Sequence, residues 1–199
     1  MLERPINEHR IERAPLAREV LEAGAVSGLV GGVAMALFAT IYAAWAGLGF
    51  WTPIEAIAQT VVGPTITGAS AVIVGVAIHV AVSMLFGVLF ALLTPRDVSG
   101  APAIAFGTFT GLAILIMMNL VIVPVINPSS REHLMWGSRP GALPVWVAFV
   151  IHMIYGLGLS LAPSLRRRFN IPLSRGANEA LPDPLLRTHA PRASSWHRG

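Results

Sequence analysis

Four stretches of this chain are too long and too apolar to belong to an ordinary water-soluble core. No Asp, Glu, Lys or Arg occurs from Ala23 to Ile54. Glu55 stands alone before a second charge-free run from Ala56 to Pro95, and Val98 to Ser130 and Pro140 to Leu165 are equally bare. A helix needs about 20 apolar residues to span the hydrocarbon of a bilayer. Buried helices of soluble proteins are shorter and carry a polar stripe, and these runs are apolar all round. Charged residues make up only 12% of the chain, against about 25% in an ordinary globular domain, too few to clothe a water-facing surface.

The predicted fold is therefore all-α and integral to a membrane. Four spans are expected at about 24–50, 67–93, 101–126 and 143–163. They form a membrane domain over 23–165, between an N-terminal segment (1–22) and a basic tail (166–199). The first 22 residues mix Arg4, Arg10, Arg13 and Arg18 with five glutamates, unlike the short basic start of a cleaved signal peptide. The first span reads instead as an uncleaved anchor. The tail, rich in Pro and Arg without an apolar period, reads as disordered.

Arginine placement sets the expected orientation, because cytoplasmic loops carry the excess of positive charge. The N-terminal segment, the loop holding Arg96 and the tail beginning Arg166-Arg167-Arg168 place twelve arginines on one side, against Arg131 and Arg139 on the other. Both termini are thus expected in the cytoplasm, with the bacterial inner membrane as the host bilayer; the arginine cluster would attract anionic lipid headgroups, but reads first as a topology signal. Trp51, Trp136 and Trp146 would then mark the opposite interface. The basic balance reflects topology and carries no signal for nucleic acid.

Two connections suggest short interfacial helices on the non-cytoplasmic side. Thr52-Pro53-Ile54-Glu55 has the form of a capping box with Pro at the first helical position. The helix should run from Pro53 to about Val62 and stop before Gly63-Pro64. Ser129-Ser130-Arg131-Glu132 repeats the pattern after the third span. With Gly28 and Gly32 set against Gly107 and Gly111, the chain reads as two repeated hairpins, each a span, a short helix and a His-bearing span. That alignment also matches Thr40 with Asn119.

Two histidines are the most informative polar residues. His79 and His152 lie near the middles of the second and fourth spans, where a polar side chain must find a partner or a cavity. Gly75, Ser83 and Gly87 share a helix face with His79; Ala148, Gly156 and Ser160 share one with His152. One reading is a pocket for b-type haem, with the two imidazoles as axial ligands, small neighbours leaving room for the ring, and Arg131 and Arg139, or Arg96, available to the propionates. A second is a transport pathway lined by Thr40, His79, Asn119 and His152. The third, and the one the composition favours, is structural. Small residues spaced by four allow close helix packing, and the histidines hold the bundle by hydrogen bonds to groups such as Ser83, Thr40, Asn119 or Tyr155.

The absences narrow the choice. With no cysteine, this chain has no disulfide, thiolate metal site or c-type haem attachment. Two histidines alone make a poor zinc site. No carboxylate lies inside a span, against proton coupling of the usual kind, and no Walker loop, G-x-S-x-G or H-E-x-x-H motif occurs. The expectation is a non-enzymatic accessory or structural subunit that packs against other membrane subunits or against itself, with haem binding and transport as alternatives.

Overall fold

A computed structural model describes residues 13–128 and 143–169. The second capping box, Trp136, Arg131, Arg139 and the tail beyond Phe169 lie outside the described residues. All regular structure among the described residues is helical: α1 (Arg13–Trp45), α2 (Thr52–Val62), α3 (Gly68–Leu93), α4 (Ala101–Met117), a π-helical turn (Met118–Ile122) leading into α5 (Val123–Ile126), α6 (Val145–Leu159) and α7 (Ala162–Phe169). Four of the resulting rods, 18–45, 68–93, 101–126 and 145–169, are long and apolar enough to cross a membrane, as a multi-pass membrane protein requires.

The second and third spans fall where the apolar runs place them. The first is displaced toward the N-terminus. It ends at Trp45 rather than near Phe50, because the chain turns through Gly47 and Gly49, both at positive φ, where glycine alone is unstrained. The fourth continues past Pro163 to Phe169 after a turn at Ser160 and Leu161.

Helix α1 is the hub. It packs against α3 on one flank and α6 on the other, and α4 packs against α6. The order around the bundle is α3, α1, α6, α4, and α3 and α4 are not close neighbours. Backbone approaches at glycine set these contacts. A Cβ at Gly28 would collide with the Ser83 carbonyl and with Gly87, while one at Gly158 would collide with the backbone of Gly31 on the other flank of α1. On the far side, Gly111 meets the His152 carbonyl and Gly156. By these contacts Gly28 on Gly87 answers to Gly111 on Gly156. In these two contacts the carbonyls of Ser83 and His152 hold the same place.

The expected capping box is not formed. Helix α2 begins at Thr52, and no side chain caps its first turn. The Thr52 hydroxyl instead donates to the carbonyl of Leu48 at 2.6 Å, and the Glu55 N–H goes to the Trp51 carbonyl. A carbonyl left over past the end of α1 outcompetes the N-cap arrangement for the hydroxyl. The predicted stop is correct: α2 ends at Val62 and Gly63 takes φ of 119°. Helix α2 lies along α3, with Gly75 under the Ile54 carbonyl.

One end of the bundle is tied by charge. The Glu19 carboxylate, 4% exposed, pairs with Arg96 and faces the Arg166 Nε at 3.5 Å. Arg166, itself buried, donates to the carbonyls of Ala91 and Thr94 at 2.8 and 2.7 Å. It thereby satisfies the unpaired C-terminal carbonyls of α3 and complements the negative end of the helix dipole. Arg167 donates to the carbonyl of Arg96 at 2.6 Å. Ends of α1, α3 and α7 are thus knotted together by groups that flank the apolar runs.

Candidate functional site

Between α3 and α4 the bundle is not filled. A half-open cavity of about 410 Å3 occupies the gap, within the size range of small-molecule sites. Toward the basic end Phe86 and Ile114 belong to its lining, and one turn from Phe86, outside the lining, the ring of Phe90 on α3 meets that of Phe106 on α4 at 5.4 Å. Toward the other end, α2 contributes Ile57, Thr60 and Val61, and Ile126 of α5 stands across from them. The walls are almost wholly apolar, and the polar groups among the described residues are Thr60, His79, Ser83, Asn119, His152 and Tyr155.

The local backbone explains why space remains beside α4. Pro124 has no N–H to give the carbonyl of Leu120, and its ring crowds that carbonyl. The helix absorbs the conflict by widening into the π turn over Met118–Ile122, a feature that recurs at functional sites. Asn119 sits in that turn, with its Nδ2 donating to the Leu115 carbonyl at 2.9 Å and its side chain on the cavity.

Each imidazole is fixed by a backbone carbonyl. His79 Nε2 lies 2.9 Å from the carbonyl of Gly32 on α1. His152 Nδ1 lies 2.8 Å from the carbonyl of Ala148, one turn back on its own helix. A carbonyl only accepts, so in the uncharged ring the proton sits on Nε2 of His79 and on Nδ1 of His152. The acceptor nitrogens left over are His79 Nδ1 and His152 Nε2. The Tyr155 hydroxyl crosses the bundle to the Ser83 carbonyl at 2.7 Å, and the Thr60 hydroxyl bonds the Ala56 carbonyl at 2.7 Å.

His79, Ser83, Asn119, His152 and Tyr155 therefore come together on one cavity, as their mid-span positions suggest. Gly75, Gly87 and Gly156 do not join them. The room beside those three glycines is taken by the backbone of Ile54, of Gly24 and Gly28, and of Gly107 and Thr108, so they serve helix approach and leave no slot for a ring. Thr40 is also elsewhere, buried with its hydroxyl on the Leu37 carbonyl at 3.1 Å. Neither histidine uses a side-chain partner; both bond carbonyls. Thr60 is the polar cavity residue that sequence reasoning passes over, because a threonine on a short helix outside the spans carries no signal of where that helix folds.

No group of three or more His, Cys, Asp or Glu that could hold a metal ion occurs among the described residues. No family model, curated protein or solved structure matches the chain, so the geometry alone bears on function.

Proposed function

We propose that this chain is a non-enzymatic membrane subunit that holds a small membrane-dissolved molecule in the cavity between α3 and α4. One observation carries the reading: the cavity lies at the depth of the apolar runs, between α3 and α4, which touch through Phe90 and Phe106 but are not packed along their length, with apolar walls and a few polar groups. A site of that kind takes its ligand sideways, from the bilayer, and fixes one end of it by hydrogen bonds. The reading includes a two-hairpin repeat in the register that pairs Gly28 with Gly111, and α2 resting in the interface. It places both termini in the cytoplasm of a bacterium, with Arg96 and Arg166–Arg168 gathered at that face. It also keeps an accessory role beside other membrane subunits or a second copy, since a bound lipidic molecule is readily shared with a neighbour.

Haem is the second reading, and His152 favours it. An imidazole whose Nδ1–H is held by a carbonyl presents Nε2, the arrangement commonly used to ligate a metal. His79 supports it less, because its Nε2 is engaged by Gly32 and would have to let go. A pathway through Thr40, His79, Asn119 and His152 has less support still, with Thr40 outside the cavity.

The test is chemical analysis of what the protein retains. The wild type, purified in mild detergent from cells supplied with haem precursors, should keep a stoichiometric apolar organic molecule detectable by mass spectrometry of the extract. Ile122→Trp, which fills the cavity, should lose it. A Soret band that disappears in His152→Ala would move the assignment to haem. A wild type and a filled variant with the same extract would end the binding proposal.

A further inference from the structure

Resting on that binding reading, we infer that the cavity selects a lipid bearing a terminal hydroxyl, held by His152 and Asn119. The argument is a census of hydrogen-bond donors and acceptors. The N–H of each imidazole and the hydroxyls of Tyr155 and Thr60 are already spent on backbone carbonyls. The Ser83 Oγ packs beside Gly32 on α1 without spending its hydrogen there, since the Gly32 carbonyl is taken by His79. One N–H of Asn119 is spent on Leu115. What remains for a ligand is His152 Nε2, His79 Nδ1, the Asn119 Oδ1 and the unused lone pairs of the Thr60 and Tyr155 oxygens, all acceptors. Against these five acceptor groups stand two donors, the second N–H of Asn119 and the hydroxyl of Ser83.

A cavity so rich in acceptors discriminates by what its ligand can donate. A ketone, ester or ether brings only acceptors, and leaves His152 Nε2 without a partner in an apolar environment. A hydroxyl donates one hydrogen and accepts another. Its O–H can meet His152 Nε2 while its oxygen takes the free N–H of Asn119, and the hydrocarbon body lies against Ile78, Val82 and Met118. A carboxylate is disfavoured, since no Lys or Arg among the described residues lines the cavity and an unpaired charge in such a site is costly. Prenyl alcohols, quinols and long-chain alcohols share the required chemistry.

The experiment titrates the full-length detergent-purified protein with farnesol and, separately, with farnesyl methyl ether, which keeps the body and the acceptor oxygen but has no donor. Binding is read by native mass spectrometry. Farnesol should bind about tenfold more tightly, the worth of one hydrogen bond to a buried acceptor. His152→Phe should abolish the difference between the two probes. His152→Gln, which keeps a polar group of similar reach, guards against a variant that does not fold. Equal affinity of the wild type for the two probes would overturn the hydroxyl selection and leave the binding site standing. Binding of neither probe, or binding unaffected by Ile122→Trp, would remove the site and the selection with it.

Discussion

His79 Nε2 lies 2.9 Å from the carbonyl of Gly32, and this bond joins α3 to α1 near the middle of both spans. The acceptor is part of a helix, so it keeps its own backbone partner when the imidazole is removed. The loss is then that of one intramembrane hydrogen bond, about 0.6–2 kcal/mol. His79→Leu should lower unfolding stability in mixed micelles by that amount and leave the helical circular dichroism unchanged.

The Gly28 and Gly87 contact is less forgiving. Their Cα atoms face each other with no space for a Cβ, and a methyl on either would meet backbone. Overpacking of that kind costs about 1–3 kcal/mol. Gly28→Val and Gly87→Val should each destabilise more than His79→Leu, in the same unfolding titration. Val30→Ala, at a position 46% exposed on the outer side of α1, should change stability by less than about 0.5 kcal/mol.

Arg166 supplies two carbonyls at the end of α3 and one carboxylate from α1. Its removal strands Glu19 with Arg96 alone, and breaking a buried pair costs about 3–5 kcal/mol. The 3.5 Å Nε separation and a location at the end of the bundle put Arg166→Ala at the lower edge of that range. Glu19→Ala on top of Arg166→Ala should then cost far less than it does alone. A double-mutant cycle by equilibrium unfolding measures this coupling, which should exceed about 1 kcal/mol.

Tyr155→Phe removes a buried hydroxyl and leaves the ring in place. The Ser83 carbonyl loses its extra donor, and stability should fall by about 0.5–1.5 kcal/mol. The Ser83 carbonyl stretch, isotope-edited in the infrared, should shift to higher frequency as the bond is lost.

How much of this was legible before the structure follows from what a sequence encodes locally. Charge-free runs fix the number of spans directly, since length and apolarity are summed along the chain. The second and third spans run from 68 to 93 and from 101 to 126, against expectations of 67–93 and 101–126. The first is read on to Phe50 because no charge interrupts the run after Trp45, and apolarity alone does not announce the turn through Gly47 and Gly49. The inward histidines, Asn119 and Tyr155 were legible as polar groups in apolar runs. The glycines beside them admit both a packing and a pocket reading in the sequence, because spacing by four describes a helix face without saying what occupies it; in the fold Gly75 meets α2 and Gly87 meets α1. The π turn follows from Pro124 near the end of a span, but the cavity it borders depends on α3 and α4 parting beyond the Phe90–Phe106 contact. That is a property of the whole packing order, and no local pattern encodes it.

The most direct test of the cavity as a ligand site is photolabelling in lipid nanodiscs with a diazirine-bearing prenyl alcohol, mapped by peptide mass spectrometry. The account predicts label concentrated on Val82, Met118 and Ile122 and displaced by excess farnesol. Label spread over outward-facing positions such as Ile73, Leu93 and Phe109, which are 70%, 77% and 69% exposed, and not displaced by farnesol, would contradict it.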